Sequence, residues 1–205
     1  MSSIPVVVLG IKRAKFKAEA TKKHLKDIGF KNVSIYYGLD IKGKNPEDIK
    51  SNQVVLYNNQ KLMEDFTGNQ LLVAEDDLRI TDPEGLFKHL KNGINGVDRL
   101  AWVRKIESGS NKGNLQGGML IGYDKSGMNR LMTLPLSAGH IDMAISKNIK
   151  QKISGSFGIE YHYKGMKKNV KGEITGMTET HKKTKLEMKR SEEYSKQPRA
   201  HKRYK

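Results

Sequence analysis

Ile4-Pro-Val-Val-Val-Leu9 is an unbroken apolar, β-rich run close to the amino terminus. A strand with no polar alternation is buried on both faces, the habit of a parallel sheet covered by helices on either side. Gly10 breaks the run. Lys12 to Ile28 then reads as an amphipathic helix, with Phe16, Ala20, His24 (or Lys23) and Ile28 on one face and lysines around the rest. Gly29 suits its C-cap, and Val33 to Tyr37 reads as a second short strand. Strand, helix and strand in this order predict an α/β sheet with parallel neighbours.

The pattern continues along the chain. Gly38 to Ser51 reads as a loop, and Gln53 to Phe66 as a helix with Val54, Val55, Asn58, Leu62 and Phe66 at helical spacing. Gln70 to Ala74 reads as a buried strand. Pro83 to Leu90 reads as a helix, with Asp82 as its N-cap and proline at its first position. Leu100 to Val103 is expected to be a strand with Trp102 in the core, and the Gly/Ser/Asn/Lys-rich stretch Arg104 to Gln116 a mobile loop. Gly118 to Gly122 reads as a strand, and Lys125 to Leu131 and His140 to Lys147 as helices. Beyond Ile153 the pattern is irregular. The reading divides the 205 residues into an α/β domain, 1–155, and a C-terminal extension, 156–205.

Composition removes several classes. Hydrophobic residues make up 36%, enough for one core, and no apolar run reaches the roughly 20 residues that cross a bilayer. No basic segment precedes the first apolar run, so a secretory leader is not expected and a cytoplasmic location is. The absence of cysteine excludes disulfides, thiolate metal sites and cysteine nucleophiles.

The charge points to partners. Thirty-eight Lys and Arg against 22 Asp and Glu give +16, which attracts polyanions at long range: nucleic acid, anionic headgroups or nucleotide phosphates. Residues 161–205 hold 14 basic and 5 acidic residues, +9 in all, and are expected to be disordered alone and to bind a polyanion. A second basic cluster comprises Lys12, Arg13, Lys15, Lys17, Lys22, Lys23 and Lys26.

Glu75-Asp76-Asp77 follows the buried run Leu71 to Ala74 directly. Three adjacent carboxylates repel one another unless something positive sits among them. Open α/β sheets place ligands at the carboxyl ends of their strands, and a hard divalent cation completed by substrate phosphates meets both conditions. The alternative is one carboxylate capping the next turn while the others are solvated.

Five segments, in order over residues 4–150, resemble glycosyltransferase family 25, the lipopolysaccharide- and collagen-type galactosyltransferases of the nucleotide-sugar (GT-A) fold. They are Val6-Val-Val-Leu-Gly-Ile-Lys-Arg13, Tyr37-Gly-Leu-Asp-Ile-Lys-Gly43, Leu72-Val-Ala-Glu-Asp-Asp-Leu78, Gly117-Gly-Met-Leu-Ile-Gly-Tyr-Asp-Lys-Ser-Gly127 and Ile141-Asp-Met143. The family's Gly- and Cys-containing helix before the acidic motif is absent, and nothing after residue 150 matches. The resemblance implies a GT-A-like, Rossmann-like and mostly parallel central sheet flanked by helices, with a basic C-terminal extension. It implies an enzyme using a nucleotide-sugar donor, a UDP-sugar by expectation, with Mn2+ or Mg2+.

On that reading Asp77 and Glu75 hold the metal, Glu75 also serving the ribose. Asp76 is the weaker ligand because alternation along an extended segment turns it away. His162 or His181 completes the site, or each is a surface histidine. Lys12 and Arg13 meet nucleotide base and phosphates, or merely solvate their helix. Arg104 opens the loop that closes over the donor. Asp142 is the general base of an inverting transfer, or an ordinary first-turn aspartate beside a helix dipole.

The acceptor is inferred from size, charge and the missing cysteine, a profile matched by small phage enzymes that glycosylate modified DNA bases. DNA would lie along the basic helix face and the tail, in the host cytoplasm if the source is a phage, and the enzyme would either work through the major groove or flip the nucleotide out. An envelope glycan or protein acceptor, and a non-catalytic nucleic-acid-binding protein, remain alternatives.

Overall fold

The computed structural model of the chain describes residues 2–40, 48–101, 104–106, 112–155, 157–161, 166–168 and 174–177. Strand β1 (Val6–Gly10) leads through a 3-10 turn (Lys12–Ala14) into α1 (Lys15–Asp27) and β2 (Val33–Tyr37). Helix α2 (Val54–Asp65), β3 (Gln70–Glu75), β4 (Leu78–Ile80) and α3 (Pro83–Leu90) follow. Then come β5 (Val97–Arg99), β6 (Arg104–Lys105), β7 (Leu115–Gln116), β8 (Leu120–Asp124), α4 (Lys125–Met132) and α5 (Ile141–Asn148). The last strands are β9 (Gln151–Ile153), β10 (Ile159–Tyr161), β11 (Met166–Lys168) and β12 (Ile174–Met177).

A six-stranded sheet with order β2-β1-β3-β8-β5-β9 organises the molecule. Only β8 opposes its neighbours: β1 pairs in parallel with β2 and β3, β5 with β9, while β8 runs antiparallel to β3 and β5. The fold is therefore α/β with a mostly parallel sheet between helices. Successive strand residues enter different cores. Val6, Val8, Leu72 and Ala74 meet Ala18, Leu25, Leu86 and Leu90. Val7, Leu71 and Val73 meet Leu56, Leu62, Met63, Met128 and Ile145. This two-sided burial is why β1 and β3 carry no polar alternation.

Helix α1 is turned from the expected face. Ala14, Ala18, Thr21 and Leu25 are buried, while Phe16, Ala20, His24 and Ile28 are only partly so. Small residues win because the helix lies close against β1: a Cβ on Gly10 would stand 2.9 Å from the Ala18 Cβ. Three further expectations are corrected. The strand near residue 100 is Val97–Arg99, short and earlier than expected, with Leu100 continuing only one bond to the Leu120 carbonyl. The expected mobile loop begins and ends in a small antiparallel pair, β6 with β7. Beyond Ile153 the chain is not irregular throughout, since β10 pairs antiparallel with β4 and Ile159 is fully buried.

Candidate active site

The chain leaves β1 for β2 on one side and returns to β3 on the other, so the sheet's topological switch lies between the carboxyl ends of β1 and β3. That is where open α/β sheets leave a crevice for ligands. A cleft of about 430 Å3 occupies it, lined by Leu9 and Gly10 at the end of β1, Ile11 beyond it, Leu39 and Asp40 after β2, Val54, Val55 and Asn58 of α2, Arg13, and all three carboxylates Glu75, Asp76 and Asp77. The lining combines apolar side chains with these acidic ones.

Asp76 faces the same cleft as its neighbours. The alternation argument fails there because β3 ends at Glu75 and Asp76-Asp77 form the turn into β4. The positive group expected among the carboxylates is supplied by the protein. Lys17 Nζ lies 3.3 Å from Asp77 Oδ2 and 3.9 Å from Asp76 Oδ1, its side chain 15% exposed. The Thr21 hydroxyl, one turn on, donates to the Asp76 carbonyl at 2.8 Å. Burial, then repulsion from Asp77, Asp142 and Asp76, pushes the Glu75 carboxyl up to about 8, against the opposing pull of Lys17. Burial raises Asp76 to about 6, with Lys17 pulling down and Asp77 pushing up. Four carboxylates thus share two cations, Lys17 and Arg99.

This donor set suits a hard divalent ion in kind. Among the described residues no three His, Asp or Glu side chains converge to hold an ion unaided. The ion that fits is one held by one or two carboxylates and completed by water and substrate phosphates. Asp77 and Asp76 would hold it, with Glu75 behind them.

Asp142 sits in the first turn of α5 and is 7% exposed. Its Oδ1 accepts from Arg99 Nη1 at 3.2 Å and its Oδ2 from the Gly117 N–H at 3.1 Å. Arg99, fully buried, also donates to the Asp142 and Gly117 carbonyls. His140 caps the helix, Nδ1 accepting from the Asp142 N–H at 3.4 Å, and its side chain is 45% exposed. Asp142 lies near enough to Glu75 to raise it but does not line the cleft.

The remaining predicted residues separate. Arg13 lines the cleft but is clasped by Asp40, Nε to Oδ2 at 2.7 Å and Nη2 to Oδ1 at 3.3 Å, a carboxylate contact that raises the guanidinium. Lys12 is exposed and not part of the lining. Arg104 opens β6, and its side chain lies outside the described residues, as do His162, His181, Trp102, residues 107–111 and most of the basic extension. Sequence reasoning gave Asp40, Asn58 and Arg99 no individual role in the site and counted Lys17 only in the basic cluster. Asn58 uses its whole amide on one residue: Oδ1 accepts the Leu39 N–H at 2.8 Å and Nδ2 donates to the Leu39 carbonyl at 3.1 Å. A Cβ on Gly38 would collide with that amide. An asparagine one turn into a helix and a glycine before a loop were the only signals available.

No family model matches the sequence, and no curated protein sequence matches it. Solved structures share its general outline. One is a glycosyltransferase involved in the glycosylation of the major capsid of PBCV-1, at 12% identity and a TM-score of 0.43; the match covers 67% of this chain and 66% of that one, just under two thirds. HddC from Yersinia pseudotuberculosis, complexed with GMP-PN, gives 9% identity and a TM-score of 0.45 over 77% of this chain and 93% of that one. A nucleoside-diphosphate-sugar pyrophosphorylase from Vibrio cholerae gives 13% and 0.39, over 78% and 76%. At these values the likeness is one of fold outline. The chemistry rests on the cleft itself.

Proposed function

We propose that this chain is a glycosyltransferase that takes a nucleotide sugar, as its Mn2+ or Mg2+ complex, into the cleft between β1 and β3 and passes the sugar to a hydroxyl on a modified DNA base. The observation that carries the reading is the set of three carboxylates at the sheet's switch point, lining one cleft together with the apolar Leu9, Leu39, Val54 and Val55. The apolar side chains suit a nucleobase, and Asp40 in the same lining suits ribose hydroxyls. Asp77 and Asp76, supported by Glu75, would hold the ion. Such an ion neutralises a departing diphosphate and orients the donor.

The acceptor oxygen must lose its proton as it attacks, and a carboxylate in reach serves as base. We assign that role to Asp142, which lies outside the cleft lining but close enough to Glu75 to repel its charge. A carboxylate has lone pairs enough to accept from Arg99 and Gly117 and still take a proton. Attack opposite the leaving group gives inversion. The DNA reading draws on charge: +16 overall, with exposed Lys12, Lys15, Lys23 and Lys26 on the segment that carries Arg13 and Lys17 into the cleft. His162 or His181 as a further metal ligand, and Arg104 over the donor, complete the proposal.

Incubation with UDP- and GDP-sugars, Mn2+ and DNA with or without hydroxylated bases, read by nucleoside mass spectrometry, tests it. Transfer or donor hydrolysis that vanishes in Asp77→Asn supports the reading. Donor hydrolysis without DNA transfer moves the acceptor to an envelope glycan or protein. DNA binding with neither activity leaves a non-catalytic binder and ends the enzyme assignment.

A further inference from the structure

Lys17 lies in the first turn of α1, and its ammonium is drawn onto the carboxylates of the turn after β3. Its Nζ stands 3.3 Å from Asp77 and 3.9 Å from Asp76. The same helix face is fixed beside that turn twice more, by the Thr21 hydroxyl on the Asp76 carbonyl and by the close approach of Ala18 to Gly10. The ammonium is therefore built into the site. It contacts the two carboxylates assigned above to the divalent ion.

An ammonium within about 4 Å of these oxygens competes with a dication for them and repels it. We infer that Lys17 is an internal counter-cation which a divalent ion must displace, so that the cleft takes up its metal together with a nucleoside diphosphate and not beforehand. The inference rests on the metal-dependent reading above. A diphosphate changes the balance in two ways. It supplies the oxygens that the carboxylates alone do not, and it gives the displaced ammonium an anionic partner. Metal and nucleotide then strengthen each other's binding by the same factor, as linkage requires.

The test is direct Mn2+ binding, followed by the electron paramagnetic resonance signal of the free ion, without nucleotide and with UDP or GDP. Wild type should bind Mn2+ weakly alone and at least tenfold more tightly with one of the diphosphates. Lys17→Met should bind Mn2+ alone at least tenfold more tightly than wild type, with a smaller gain from the nucleotide. Lys17→Arg, which keeps the cation, should stay weak. Lys17→Gln replaces the Met variant if that variant does not fold. Equal Mn2+ affinity in wild type and the neutral variants overturns the inference while leaving the metal reading standing. No Mn2+ binding by any variant, even with both diphosphates, overturns both.

Discussion

Glu75→Gln should stabilise the metal-free protein by an amount that grows as pH rises from about 4.5 to about 8. The ordinary glutamate value of 4.5 rises to about 8 in the fold because burial and three neighbouring carboxylates penalise the charge. A raised carboxyl holds its proton in the folded state after the unfolded chain has lost it. Its contribution to stability is present below about 4.5 and is lost as pH climbs through about 8. At about 1.4 kcal/mol per tenfold in proton affinity, the full rise would correspond to roughly 5 kcal/mol. Glu75 is only partly buried and shares the repulsion with Asp76 and Asp77, so about 2–3 kcal/mol is the working figure. Glutamine keeps the shape and cannot ionise. Urea unfolding in EDTA at pH 4.5 and 8.5 should find the two proteins nearly equal in acid and the variant ahead by that amount in base. Subtracting wild type from variant cancels the pH dependence of the remaining charges. A gap of the same size at both pH values would refute the reasoning, as would a variant less stable than wild type at pH 8.5.

Arg99→Met leaves the buried Asp142 carboxylate without its cation and should cost about 3–5 kcal/mol, read as a lowered urea midpoint; a loss under about 1 kcal/mol would mean Asp142 is not held by this pair. Asp142→Asn, if Asp142 is the base, should lose about 10²–10⁴-fold in turnover while nucleotide affinity holds, and an unchanged rate in the transfer assay would reduce Asp142 to a packing residue. Asn58→Ala strands the Leu39 N–H and carbonyl and should cost about 1–3 kcal/mol, with weaker nucleotide binding by calorimetry because Leu39 and Asp40 line the cleft. Gln151 is 5% exposed and its amide has no hydrogen-bond partner among the described residues, so Gln151→Leu should be neutral or stabilising by about 1 kcal/mol in thermal unfolding.

What the sequence revealed and what it hid divide along physical lines. β1, β3, α3 and α4 were readable because each is a local statement: an apolar run, or a helix opened by an aspartate that does cap it, Asp82 on the Gly85 N–H and Asp124 on the Gly127 N–H. β4, β9 and β10 were not, being three residues each and held in place by distant partners. The buried face of α1 was misread because the closest helix-to-sheet approach selects Ala18 and Thr21 over larger side chains, a choice invisible without β1 beside it. In the site, Glu75, Asp76 and Asp77 announced themselves by adjacency. Lys17 did not, since it is 60 residues from Asp77 and one lysine among many on its helix. Arg99 was hidden for the same reason, reaching Asp142 over 43 residues.

The acidic cluster explains why the cleft is kept at a cost to the fold. Among the described residues, four carboxylates around Lys17 and Arg99 leave Glu75 holding a proton near neutral pH, so the site is not electrostatically satisfied by these residues alone. A protein core could remove the conflict by replacing Glu75 or Asp76 with an amide, and the fold would gain. On the proposed function, an arriving cation relieves the conflict. Arg99 cannot, because it is buried on Asp142. Lys17 reaches the two turn carboxylates at 3.3 and 3.9 Å but leaves Glu75 raised. The unmet demand is for charge beyond what one lysine supplies, delivered from the cleft side, where Asp40 and the apolar side chains lie. Stability lost at alkaline pH in the metal-free protein and metal affinity gained with a diphosphate are then two measurements of one electrostatic deficit.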